Sequence, residues 1–122
     1  MVEQLIRGAQ YNIGHICTRL QCELGRGDKV AMRWISTSHE RRDYTFSDID
    51  LLTNRFANVL QGLGFSTGDI LFTFLPKMPE QFVAFLGALK LQLIAGTLFA
   101  NFGEDALLER LGDAWAKGLI TK

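Results

Sequence analysis

The sequence is poor in the residues that carry metal and redox chemistry: two cysteines and two histidines in 122 residues. Cys17 and Cys22 lie five apart on an expected helix, on different faces, which excludes a local disulfide. A small secreted scaffold needs more bridges than one pair supplies, so a reducing, cytoplasmic context is expected. His15 and His39 are far apart and have no cysteine or carboxylate cluster at ligand spacing, so both read as structural or solvent-facing rather than metal-bound. Charge of one sign is also missing. Thirteen basic residues balance thirteen acidic ones, which leaves no field to attract a nucleic-acid backbone or an anionic lipid surface.

Long apolar runs are absent as well. Met1–Arg7 holds no leader-like apolar stretch. The most apolar window, Phe82–Phe99, is interrupted by Gly87, Lys90, Gln92 and Gly96, and reads as helix, turn and strand rather than a membrane span. The two prolines of the chain, Pro76 and Pro79, share one turn. They remove two amide donors from the place where a dinucleotide fold presents its phosphate-binding glycines. No P-loop and no Gly-x-Ser-x-Gly elbow occurs, and neither cysteine has neighbours that would activate it. Arg26-Gly27-Asp28 reads as a turn, and Arg41-Arg42 beside Glu40 and Asp43 as a charge-compensated turn. Asn54, Arg55 and Asn58 share a helix; Arg55 is expected to cap or bridge neighbouring segments before it serves as a ligand contact.

What is present is an apolar fraction of 48%, enough for one modest globular domain. Ile13, Ile16, Leu20 and Leu24 recur at helical spacing behind Asn12, a good N-cap. Val30–Ile35 and Tyr44–Phe46 flank the polar stretch Ser36–Asp43, a hairpin signal. Ser47-Asp48-Ile49-Asp50 gives a capping-box start at Ser47. Ile49, Leu52, Phe56, Val59, Leu60 and Leu63 then form one stripe, closed by Gly64. Ile70–Leu75 is a nearly continuous apolar strand of the kind covered on both faces. A helix follows through Phe82, Val83, Leu86 and Leu89, then a strand over Leu93–Leu98. Asn101–Gly103 turns into a helix marked by Leu107, Leu108, Leu111 and Trp115, and Gly118–Thr121 is a last strand. This rhythm predicts an α/β fold: an N-terminal helix and hairpin over residues 1–46, then a short parallel βαβαβ unit over residues 47–122, with right-handed crossovers. A sheet of this kind normally continues, so the chain reads as an incomplete portion of a larger domain.

Tyr44-Thr45-Phe46-Ser47-Asp48-Ile49 resembles the first core motif of adenylate-forming enzymes. Asn54–Leu60, then Leu63-Gly64-Phe65 and Gly68-Asp69-Ile70, are similar to the run that follows it. Leu75-Pro76-Lys77-Met78-Pro79-Glu80 is similar to the Leu-Pro-x-x-Pro-Glu turn of the acetyl-CoA synthetase branch. Gly87-Ala88-Leu89-Lys90 with the next strand resembles the second core motif. Phe99, Phe102, Arg110-Leu111, Asp113, Ala116-Lys117 and Ile120-Thr121 continue the likeness, and Asn12-Ile13 also fits. The order and spacing of these short motifs over nearly the whole chain are specific, although each alone is weak. There are departures. Leu91-Gln92-Leu93 stands where an apolar residue and Gly-Ala are usual, Thr97 replaces a frequent proline, and Trp115 stands at a small or polar position.

The resemblance implies the N-terminal portion of an AMP-forming acyl-CoA synthetase. Such a ligase joins a small carboxylate to ATP as an acyl-adenylate and passes the acyl group to CoA, with Mg²⁺ as the phosphate counter-ion. It implies no catalytic residue and no metal site in this segment, and no cofactor bound to the segment alone. The partner it implies is the remainder of the parent chain. In that branch the turn matching Phe99-Ala100-Asn101 lies near the CoA nucleotide. Asn101 stands where glycine is common, and a loop that merely closes a crossover is an equal reading. A stand-alone flavodoxin-like binding module without activity is the competing class. A segment cut from a larger domain leaves its helix stripe Ile49–Leu63 and a sheet edge bare, so self-association is expected.

Overall fold

The computed structural model describes residues 11–122; the stretch Met1–Arg7 lies outside them. Helical residues Ile13–Cys17 (α1) and Arg19–Gln21 (α2) run into a wide turn at Cys22–Arg26. Strands Val30–Ile35 (β1) and Arg41–Thr45 (β2) form an antiparallel hairpin. Then follow Phe46–Gly62 (α3), Ile70–Phe74 (β3), Pro79–Lys90 (α4), Ile94–Thr97 (β4), Glu104–Asp113 (α5) and Gly118–Thr121 (β5). The second sheet has the order β4-β3-β5, with both neighbours parallel to β3. The expected α/β architecture and its parallel unit are therefore present. β4 lies on one side of β3 and β5 on the other, so right-handed crossovers put α4 and α5 on opposite faces.

The local chemistry explains most boundaries. Asn12 Oδ1 accepts the His15 amide at 3.1 Å and caps α1. The α3 box is built two residues earlier than its sequence signal. Thr45, not Ser47, is the N-cap, and Thr45 and Asp48 exchange hydrogen bonds reciprocally. Phe46 accordingly belongs to the helix, and β2 reaches back to Arg41 through the polar stretch assigned to a turn, because Arg41, Arg42 and Asp43 pair with Ile35, Trp34 and Arg33. The expected single N-terminal helix is broken at Thr18, whose fully buried hydroxyl bonds the Gly14 carbonyl at 2.7 Å. Its apolar residues do not form one buried stripe: Ile13 and Leu24 are exposed. The two cysteines are free, as expected.

Three helices end in the same motif, in which a residue in the left-handed region lets two amides close back on the last turn. At α3 it is Gly64, φ +87°, with Phe65 N–H on Leu60 O. At α4 it is Gln92, φ 59°, with Leu93 N–H on Ala88 O, and at α5 it is Trp115, φ 52°, with Ala116 N–H on Leu111 O. Trp115 thus lies past the helix it was expected to extend, 88% exposed. Gln92 stands where the resemblance implies a glycine, and a left-handed backbone is a position that glycine adopts without strain.

The core is Leu60, Leu71, Ala88 and Leu93, with Phe56, Phe65, Ala95 and Ile120 packed against it. Leu71 and Thr73 point from β3 toward this core, and the alternate residues Ile70, Phe72 and Phe74 are only half-buried. α5 contributes no buried residue, so the second face of β3 is covered less completely than its apolar run implied. The stripe on α3 also differs from expectation. Val59 and Leu63 are exposed, whereas Asp50 and Thr53 are buried. Asp50 meets Lys90: Lys90 Nζ lies 2.7 Å from Asp50 Oδ1 and 2.7 Å from Asn54 Oδ1, with both charged side chains 10% exposed. Close approach of the helices makes this reach possible. A Cβ at Gly87 would stand 3.0 Å from Thr53 O, and one at Gly14 only 2.6 Å from Leu86 O.

Lys90→Met should destabilise the chain by about 3 kcal/mol or more, because it strands a buried carboxylate; Asp50→Leu with Lys90→Met should recover most of that loss. Denaturant unfolding of the three proteins checks this, and an equally unstable double variant would count against it. Trp115→Gly should raise stability by about 1 kcal/mol by relieving the left-handed backbone, read as an upward shift of the unfolding midpoint at unchanged slope.

Three carboxylates are held below their ordinary range: Asp48 by the Thr45 amide and hydroxyl, Asp69 by Lys117 and the Ser66 amide, and Asp43 by Arg41 and Arg33. Each binds its proton less readily folded than unfolded, so the stability it contributes is present above the unfolded value and is lost as pH falls through the folded one. The melting temperature should hold between pH 7 and 5 and decline below about pH 4, with a shallower decline in Asp48→Asn.

Candidate functional site

The carboxyl ends of parallel strands, where connections diverge to opposite faces, are the usual ligand-binding margin of an open α/β sheet. Here the β3 end leads into Leu75–Met78 and the β4 end into Leu98–Asn101. A cleft of about 500 Å³ opens between them, lined by Leu75, Pro76, Lys77, Gln81, Phe82 and Thr97–Asn101. Phe99, Ala100 and Asn101 are thus brought together on one wall, all exposed. Pro79 opens α4 at its first turn, where a missing amide costs nothing, and the following turn sends Gln81 toward the strand ends. Gln81 Nε2 donates to Thr73 Oγ1 at 3.2 Å and Thr97 Oγ1 at 3.4 Å, tying α4 to β3 and β4, and Gln81 Oε1 is buried with no partner among the described residues.

The outer lip is aromatic. Phe99 meets Phe102 edge to face at 5.4 Å, and the Arg110 guanidinium lies 4.4 Å over the Phe102 ring. This places a flat, exposed apolar surface beside a fixed cation. Gln81, Thr97 and Arg110 were not singled out as site residues in the sequence. Gln81 stands two residues after Pro79 in a first helical turn, which is the one local signal that it reaches the strand ends; Arg110 meets Phe102 only because α5 folds back over the Phe99–Phe102 turn.

Among the described residues no carboxylate and no histidine lines the cleft bearing Phe99. The three perturbed carboxylates, Asp43, Asp48 and Asp69, line neither this cleft nor its neighbour across the Leu75–Met78 turn. His15 and His39 are exposed and contribute to neither. Among the described residues no group of three His, Cys, Asp or Glu side chains is placed to hold a metal ion, and no helix is long and apolar enough to cross a membrane. Of the α3 residues, Asn54 bridges to Lys90, and Arg55 and Asn58 face solvent.

Comparison with known proteins places this geometry. The family model described as AMP-binding enzyme matches residues 21–122. The acetyl-coenzyme A synthetase of Rubrobacter xylanophilus is 35% identical over 115 residues, 93% of this chain and 18% of that protein. The 3-hydroxypropionyl-coenzyme A synthetase of Sulfurisphaera tokodaii is 33% identical over 114 residues, covering 93% of this chain and 17% of that one. Among solved structures, a Brucella canis acyl-CoA synthetase superposes with a TM-score of 0.82 at 31% identity, over 89% of this chain and 20% of that chain. The NpsA N-terminal subdomain of Klebsiella oxytoca shares the fold, with a TM-score of 0.75 at 21% identity. The chain therefore spans about a fifth of the length of the synthetases it matches, and corresponds to their N-terminal part. With a family model matched from the end of α2 to the last strand, and synthetases aligned along the same elements, the chain belongs to the AMP-binding enzyme family.

Proposed function

We propose that the chain serves as the N-terminal part of an AMP-forming acyl-CoA synthetase acting on a small carboxylate in the cytoplasm, and that its cleft at the β3 and β4 ends borders the CoA nucleotide. The observation that carries this reading is collinear similarity to acetyl- and 3-hydroxypropionyl-coenzyme A synthetases over 93% of the chain, combined with a cleft on the matching turn. Phe99 offers a flat face for a purine and Asn101 offers an amide for its edge.

The residues present do not fit ATP or Mg²⁺. The turn after β3 carries two prolines in place of an amide cradle, and no carboxylate cluster is built among the described residues. No step of adenylate formation is therefore assigned to this chain. Its own residues position and orient: Gln81 and Thr97 brace the strand ends, and Phe99 and Asn101 present the cleft wall. The remainder of a synthetase chain is the partner that brings the phosphate cradle and the acyl pocket, and the exposed Val59 and Leu63 belong to surface such a partner covers.

The chain alone should support no acetate-dependent exchange of pyrophosphate into ATP. Substituting it for the matching N-terminal segment of the Rubrobacter xylanophilus synthetase should restore exchange, and a well-folded chimera with none would sink the proposal. In the active chimera, Phe99→Ala should raise KM for CoA about tenfold, the size of one lost base-stacking contact, and leave exchange unchanged because CoA enters only the second half-reaction.

A further inference from the structure

The turn Leu75–Met78 has a second cleft on its other side, of about 530 Å³, walled by the β1–β2 hairpin and reaching the end of β5 at Lys122. It is separate from the cleft bearing Phe99, although Lys77 stands on the ridge between them and lines both. The pleat of the hairpin sorts its charges. Arg33 pairs with Asp43, so these two side chains share one face, and Asp43 binds both Arg33, at 2.7 Å, and Arg41, at 2.6 Å. The next register pair, Trp34 with Arg42, projects to the opposite face. There the Arg42 guanidinium lies 5.7 Å over the Trp34 ring, and the indole N–H donates to the Lys77 carbonyl at 3.1 Å, fixing the hairpin wall to the turn.

The outcome is a cleft whose cations Arg42 and Lys77 form no ion pair among the described residues, although Asp43 is spent twice on the face behind them. Glu80 is the one carboxylate in the lining, against Arg42, Lys77 and Lys122; Ser36 and Thr37 add hydroxyl donors. Cations on the hairpin and on the proline-bound turn line one cleft, and a planar guanidinium matches a phosphate in a way a lysine alone does not. The indole supplies an apolar surface next to them.

We propose that this second cleft binds a phosphate monoester carrying a flat apolar group, with Arg42 and Lys77 on the phosphate and Trp34 against the flat part. The proposal stands independently of the CoA assignment, which concerns the other cleft. The chain has two tryptophans, so Trp115→Phe leaves Trp34 as the sole indole reporter in the full 122-residue chain. Titration of that protein with phenyl phosphate at low ionic strength should change Trp34 fluorescence saturably. Arg42→Gln and Lys77→Gln should each raise the dissociation constant at least tenfold, whereas Arg41→Gln and Phe99→Ala should leave it unchanged. The constant, not the intensity, is the readout, since Arg42 itself touches the indole; Lys77→Gln serves where Arg42→Gln loses its native circular dichroism. No saturable change, equal affinity for phenol or for inorganic phosphate, or binding undiminished in the cation variants would each overturn the assignment.

Discussion

The fold hangs on one junction buried between helices. Lys90, at the end of α4, reaches across to Asp50 and Asn54 on α3. Asn12 binds the Leu89 carbonyl at 2.7 Å and the Lys90 carbonyl at 3.2 Å while capping α1. Arg19 approaches Asp50 from α2 at 3.9 Å. Three segments far apart in sequence are thereby fixed to one another over the sheet. A pair this deeply desolvated adds little net stability compared with apolar packing, but it is costly to break on one side. Its effect is therefore on register: α3 and α4 must meet where Gly87 admits Thr53, or the charges are left unpaired.

That register determines what happens at the far end of the sheet. α4 runs from the Lys90 junction back to Pro79, so its first turn is delivered to the strand ends. Gln81 then bridges Thr73 and Thr97, and the Leu75–Met78 turn becomes a ridge with a cleft on either side. At the opposite end Lys117 ties Asp69 and the Gly64 carbonyl together and lies 5.2 Å over Phe65, which sets β5 against β3. The two ends have different characters. One is closed by an ion pair and two helix terminations, and the other is open and lined by aromatic and amide groups. The margin that bears the clefts and a stabilising margin are separated along the strands, in keeping with general α/β design.

Much of this was legible in the linear pattern. The apolar runs and their punctuation located β3, α4, β4, α5 and β5, because a strand buried in a parallel sheet and a helix stripe have different periods. Asn12 and Gly64 could be read directly, since caps depend on one or two neighbouring residues. The errors have local competitors. Thr45 and Ser47 are both good N-caps, and pairing of Arg41–Asp43 with β1 extended the strand and handed the cap to Thr45. Thr18 split the first helix because its buried hydroxyl found the Gly14 carbonyl, a contact invisible to periodicity. Asp50 and Thr53 interrupted the α3 stripe because burial there depends on what α4 brings.

The sequence by itself determined the class of fold, the order of its elements, the parallel sense of the second sheet and the likeness to acyl-CoA synthetases, because these rest on periodicity, turn chemistry and motif order within short stretches of chain. Only the tertiary structure decided that Lys90 in the middle of an apolar window is the partner of Asp50, that Gln81 joins Phe99 and Asn101 around one cleft, and that Arg42 and Lys77 face another without forming an ion pair among the described residues. Those facts depend on pairs separated by tens of residues and on the pleat and crossover that bring them together. Nothing in the local pattern encodes which cation will find a carboxylate and which will be left for a ligand.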